Sequence, residues 1–311
     1  MSKKAFFYID DVIWVFRDLT RQRPKSIFDH HFLKPLKEAH DKYGAKVQLN
    51  AFYRTDFFYG NDEFTLADMT DAYKAEWENA SDWLKIGFHS KQEFPDYPLV
   101  NISYQDAKDI FQSIYREVCR FAGENSMAWA VEPHWLPVSK EGCRALRDCG
   151  IRLISTTIGA SSEYNGDPAS LPYGHAGRLL QNRQPETKVF LRGTRNTAID
   201  NSLCAYNHFE PDMTHRMMNT TETIYDPDLD VYFKRLGGGS CLNLIPMEDL
   251  AAELGQYLEN EFVGLGTHEQ YSYPDYFSYQ PDHGDRILEA CRLLAQKGFT
   301  FIFAEELVVE D

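Results

Sequence analysis

Apolar and polar positions along the chain follow two alternating rhythms. Ala5 to Tyr8 is a short apolar run closed by Asp10 and Asp11, the pattern of a buried strand. A helix capped by Ser26 or Asp29 runs to Tyr43 and stops at Gly44. Lys46 to Tyr53 carries Val47, Leu49, Ala51 and Tyr53 at every second position and predicts another strand. A helical pattern from Thr65 to Trp83 leads to a brief strand, Lys85 to Phe88, ending at His89. Ala107, Phe111, Ile114, Val118 and Phe121 then fall on one face of a helix over Ser103 to Phe121. A strand from Met127 to Val131 ends at Glu132-Pro133-His134-Trp135, a helix starts at Ser139, and Arg152 to Ser155 is strand-like.

This βαβα order predicts a parallel sheet with helices outside it. The rhythm breaks from about 156 to 241, where glycines and prolines separate short strand candidates such as Lys188 to Arg192. That stretch is expected to be an elaborated insertion with antiparallel hairpins. Regularity returns with a strand at Leu242 to Ile245, a helix from Glu248 to Glu259 and a strand from Phe262 that ends at His268. A helix over 282–297 and a strand from Phe299 to Phe303 follow. The expectation is one domain over 1–311, a distorted (β/α) barrel of about seven parallel strands.

Composition narrows the function classes. Hydrophobic residues make up 43% and charged residues 25% of the 311 positions, as in a globular protein. Lysine and arginine number 32 against 47 aspartates and glutamates, a net charge of −15. That balance argues against nucleic acid or an anionic membrane as a partner. The first apolar run breaks at Asp10, too early for a secretory signal, and nothing approaches the ~20 apolar residues of a membrane span. The six cysteines are scattered with no CxxC pair, which points to reduced thiols in a cytoplasmic protein.

Working residues of parallel barrels sit where strands end. Here those ends carry Asp10 and Asp11, His89, His134 and His268. Adjacent carboxylates in a dry site repel unless a cation or a shared proton relieves them. A helical turn starting at His89 would bring Glu93 onto the same face, an imidazole and a carboxylate for one ion. With Asp11 this N/O set suits divalent Zn, Mn or Co.

These residues resemble the polysaccharide deacetylases of the NodB-homology superfamily. That family has an early strand ending in an aspartate pair, here Tyr8-Ile9-Asp10-Asp11. A histidine, a serine or threonine, and a second histidine four residues after the first come next, here His89-Ser90-Lys91-Gln92-Glu93. Near the end of the barrel a strand closes on a histidine, here Leu265-Gly266-Thr267-His268. The resemblance implies hydrolysis of an acetamide, with Asp10 as base, His268 as acid, and Asp11, His89 and Glu93 as metal ligands. Glu93 stands where the family has histidine. The family's arginine-proline motif has its nearest counterpart at Glu132-Pro133-His134-Trp135, where His134 is an additional ligand or proton-transfer group. Arg54, Arg192 and Arg195 are candidates for the missing arginine.

Aromatic residues reach 14%, and the stretch after His268 is rich in them. Trp135, Tyr271 and Tyr273 are candidates to stack on sugar rings, the alternative being a packed loop over the barrel end. The expected partner is a carbohydrate or small acetylated substrate. Two other readings stay open: a metal-free glycoside hydrolase using Asp10 with Glu132 or Glu269, and a carbohydrate-binding protein without catalysis.

Overall fold

The computed structural model describes residues 3–55, 63–94, 98–99, 102–136, 138–155, 187–189, 197–199, 222–237 and 240–308. Strand β1 (Lys3–Val12) is covered on both faces. Ala5, Phe7 and Ile9 join the core shared with the helices, while Phe6 packs with Ala130, Leu153, Leu236, Phe262 and Ala304 in a second cluster. Alternate side chains of one strand thus enter two separate apolar layers. Each fully buried Phe or Ile contributes roughly 1.5–3 kcal/mol over its exposed state.

Strands β2 (Val47–Phe52), β3 (Leu84–Ser90), β4 (Ala130–Val131) and β5 (Leu153–Ser155) follow in chain order. A short antiparallel pair, β6 (Thr187–Val189) and β7 (Thr197–Ile199), stands apart from the main sheets. Strands β8 (Thr223–Asp226), β9 (Val231–Lys234), β10 (Ser240–Cys241), β11 (Phe262–His268) and β12 (Phe299–Phe301) complete the set. The main sheet runs β10-β11-β1-β2-β3, all parallel, with β12 beside the start of β1. A second sheet runs β4-β5-β9-β8, with only the β8–β9 hairpin antiparallel. An isolated parallel bridge pairs Ile86 of β3 with Met127, shortly before β4.

The fold is therefore mixed α/β with a mostly parallel sheet. Among the described residues no ladder joins β9 to β10, so the expected barrel is seen as an open arc and not a closed ring. Residues 223–241, expected to belong to the insertion, supply β8, β9 and β10. Apart from β6 and β7, the insertion between 156 and 221 lies outside the described residues, as do Arg192 and Arg195. Leu242–Leu244, expected as strand, is a short 3-10 turn after β10.

The helices are α1 (Trp14–Gln22), α2 (Leu33–Tyr43), α3 (Lys74–Ala80), α4 (Tyr104–Phe121), α5 (Lys140–Asp148), α6 (Leu250–Gly255) and α7 (His283–Gln296). Ser103 and Ser139 cap α4 and α5 by accepting from the amides of Asp106 and Gly142. Gly44 ends α2 at φ 68, the left-handed conformation that glycine adopts freely. None of the described helices is long and apolar enough to cross a membrane.

The inner side of the arc is polar towards the strand ends. Tyr8, Gln48 and Asn50 lie there against strands that carry glycine. A Cβ at Gly266 would come within 2.5 Å of the Tyr8 hydroxyl, and one at Gly87 within 2.7 Å of Asn50 Oδ1 and Gln48 Nε2. Glycine at these positions makes room for polar side chains beneath the functional end.

Candidate metal centre

Asp11 has φ 61, and the β1–β2 register shifts between Ile9 and Val12. Neighbours on a regular strand point to opposite faces. A bulge with a left-handed residue re-aims one of them, and aspartate tolerates that conformation. Here it brings both carboxylates to the strand-end site.

His89 is the penultimate residue of β3, and its Nδ1 lies 2.6 Å from the carbonyl of Glu132. His134, in the turn after β4, places Nε2 2.9 Å from the carbonyl of Glu93. Carbonyl oxygens only accept, so both of these outward nitrogens carry the proton. In neutral rings the inward nitrogens would then be bare and free to bind a cation, whereas in protonated rings they would donate to Asp11. His89 Nε2 and His134 Nδ1 stand 3.0 Å apart, and Asp11 Oδ1 lies 3.1 Å from the first and 3.2 Å from the second. Gln270 Nε2 donates to Asp11 Oδ2 at 2.9 Å, occupying the other carboxylate oxygen.

Asp11, His89 and His134 thus form a buried group able to hold a metal ion. Their sides of 3.0–3.2 Å fall between the roughly 3.0 Å edge of an octahedral face and the roughly 3.3 Å edge of a tetrahedron, taking metal–ligand distances of about 2.0–2.1 Å. Two lone pairs and a carboxylate oxygen at such separations repel unless a cation or a proton sits between them. The backbone carbonyls also fix ring tautomer and orientation, as outer partners of metal-bound histidines commonly do. The donor set therefore fits a divalent cation on the chain's own geometry.

Asp11 is held well below the usual carboxylate range; burial alone would raise it, but His134, His89 and His268 outweigh burial. Asp10 behaves oppositely. Burial pushes it up to about 8, with Glu132 and Asp11 adding to the effect, while His89 and the Asn50 amide, donating at 2.7 Å, oppose it. Burial also pushes Glu132 up to about 8, and its Oε2 has no hydrogen-bond partner. Both acids bind protons more tightly folded than unfolded. Their stabilising contribution is complete below about pH 4 and is lost as pH rises towards 8. Metal-free protein is therefore expected to melt at lower temperature at pH 8.5 than at pH 5.5. Glu132→Gln should recover on the order of 2–4 kcal/mol at the higher pH. Equal melting temperatures at the two pH values in both proteins would contradict this assignment.

Among the sequence candidates, Asp10, Asp11, His89, His134 and His268 meet at one end of the sheet. His268 pairs with Asp10 in the β1–β11 register, and its Nε2 stands 4.0 Å from Asp11 Oδ2. Glu93 does not join the triangle. Its backbone carbonyl serves His134, and its carboxylate lies 3.3 Å from Gln270 Nε2. The expected pairing assumed a helical turn from His89, but that residue lies within β3, so a spacing of four does not align the two side chains.

Tyr273 is not at the mouth. It is 4% exposed, packs edge-on against Trp14 and His31, and donates its hydroxyl to Glu269. Glu269 is equally structural. Its Oε2 accepts from the amides of Ile13 and Trp14 and its Oε1 from that of Val15, at 2.6–2.8 Å, clasping the start of α1. Burial pushes its carboxyl up to about 7, against the pull of these donors. Tyr271 stays near the site, its ring 6.2 Å from that of His268, and Trp135 lies beside His134 at 5.8 Å. Arg54 sits at an isolated bridge with Thr65 after β2.

The sequence reading missed Asn50, Gln270 and Asn243. A signal existed for the first: Gln48 and Asn50 are polar, two apart, on a strand that is buried throughout.

No family model matches the chain, and no curated protein matches it. Among the solved structures that match are two that superpose on 98% of it, each at 11% identity. One is a 4-alpha-glucanotransferase from Thermococcus litoralis, with a TM-score of 0.47. The chain spans 40% of that enzyme's length. The other is provisionally described as a glycoside hydrolase/deacetylase from Parabacteroides distasonis, with a TM-score of 0.41 over 70% of its chain. At these scores neither protein's properties are carried over to this one.

Proposed function

We propose that the chain is a metal-dependent hydrolase that deacetylates an N-acetylated sugar or a related small amide. The observation that supports this most is the converging triangle of Asp11, His89 and His134, with both ring tautomers set by backbone carbonyls. A divalent ion (Zn, Mn or Co) held there would polarise a carbonyl and lower the pKa of water.

The chain's own groups divide the remaining work. Gln270 holds Asp11 Oδ2, directing Oδ1 to the histidines. Asn50, itself held by Gln48 at 2.7 Å, fixes the Asp10 carboxyl beside the site. Asp10 and His268 flank the centre as proton-transfer groups. Tyr271 and Trp135 offer aromatic surface to a sugar ring. The five described cysteines are free thiols, which fits the cytoplasmic setting read from the sequence.

The test is acetate release from N-acetylglucosamine oligomers with and without added zinc, manganese or cobalt. The expected result is ion-dependent release that falls about 10²–10⁴-fold in Asp10→Asn. Reducing ends released without any ion, and no acetate, would favour the glycoside hydrolase reading with Asp10 and Glu132. Glu269 drops out of that reading, since its oxygens are committed to α1. Sugar binding with no product would favour the non-catalytic reading.

A further inference from the structure

Asn243 lies in the turn after β10 and is 5% exposed. Its Oδ1 meets His268 Nδ1 at 3.0 Å, Cys241 Sγ at 3.0 Å and Thr267 Oγ1 at 3.3 Å. The thiol and the hydroxyl both donate to this atom, the amide oxygen. The turn is fixed from other sides as well. Gln280 Nε2 donates to the Asn243 carbonyl at 2.7 Å. Thr267 Oγ1 lies 2.6 Å from His283 Nε2, and His283 Nδ1 lies 2.6 Å from Ser272 Oγ. The amide is thus tied through Thr267 to the start of α7.

An amide oxygen opposite Nδ1 requires a proton on that nitrogen. In the neutral ring the lone pair then falls on Nε2, the nitrogen 4.0 Å from Asp11 Oδ2. We infer that Asn243 is a positioning residue that fixes a proton of His268 on Nδ1 and turns Nε2 towards the metal centre. This rests on the reading of His268 as a proton-transfer group. The uncharged amide orients the ring without the added charge stabilisation that a carboxylate in its place would give a protonated ring.

The test reads the ring itself and needs neither metal nor turnover. Histidine ring nitrogens are observed by long-range proton–nitrogen correlation in the full-length, chelator-treated chain, at a pH about two units above the ordinary histidine value of ~6.5. A His268→Gln sample identifies the His268 signals. The expected wild-type signature is a proton on Nδ1 and a bare Nε2. Asn243→Asp keeps an acceptor and should retain that signature. Asn243→Leu removes the acceptor and should let the proton redistribute between both nitrogens, while the His283 signals report that the fold persists. A wild-type proton on Nε2, or an unchanged signature in Asn243→Leu, would overturn the inference. The wild-type spectrum decides even if the leucine variant does not fold. A chain that failed to hydrolyse anything would still show the signature, so failure here is distinguishable from failure of the proposed function.

Discussion

Alanine at His134 is expected to weaken zinc binding at least 100-fold, whereas alanine at Glu93 should weaken it less than about 10-fold. Outer partners of metal ligands are typically worth 10–100-fold in affinity, and a direct ligand is worth more. His134 presents Nδ1 3.2 Å from Asp11 Oδ1 and 3.0 Å from His89 Nε2. Removing it leaves two donors of the triangle. Glu93 acts on His134 through its backbone carbonyl, which alanine retains. Its carboxylate lies 3.3 Å from Gln270 Nε2, which also donates to Asp11. The pair of variants therefore separates the ligand set seen in the structure from the one expected from sequence spacing. Competition against a chromogenic zinc chelator measures both. Thermal unfolding gives a second readout: free zinc at 100 times its dissociation constant should stabilise the wild type by about 2.7 kcal/mol and leave His134→Ala nearly unmoved. Equal loss in both variants would return Glu93 to the ligand set.

Glu269→Ala is expected to be the most destabilising single substitution near the site, by about 3–5 kcal/mol. The helix α1 has Ile13 at its N-cap and no local side-chain cap, so the amides of Ile13, Trp14 and Val15 depend on this one distant carboxylate. Leaving buried donors unmade costs about 1–3 kcal/mol each, and Tyr273 loses its acceptor as well. For a chain of this size the melting temperature should fall by roughly 5–8 °C. Glu269→Gln keeps one acceptor oxygen and should fall between the two. Differential scanning calorimetry reads the order of the three proteins. A glutamine variant as stable as the wild type would show that one acceptor oxygen is enough to hold the start of the helix.

The same helix shows why part of the fold escaped the sequence. Local caps and periodicity made α4 and α5 legible, since Ser103 and Ser139 sit where a helix start is read. The start of α1 is satisfied by a residue more than 250 positions away, so no local pattern announces it. The strand ends were legible for the opposite reason. Buried runs that stop at Asp10, His89 and His268 mark their own boundary, and parallel order then brings those boundaries to one end. His134 was legible only as an alternative, because its role depends on which backbone carbonyls face its ring. The aromatic stretch after His268 was ambiguous between mouth and packing, and burial splits it: Tyr273 is in the core, while Phe277 is 74% exposed.

The central claim is the position of the ion, and the most direct measurement is anomalous X-ray diffraction at the zinc edge from crystals of the zinc-loaded chain. A single strong peak is expected about 2.0–2.2 Å from Asp11 Oδ1, His89 Nε2 and His134 Nδ1. A peak elsewhere, or none at zinc concentrations that saturate the protein in solution, would contradict the account.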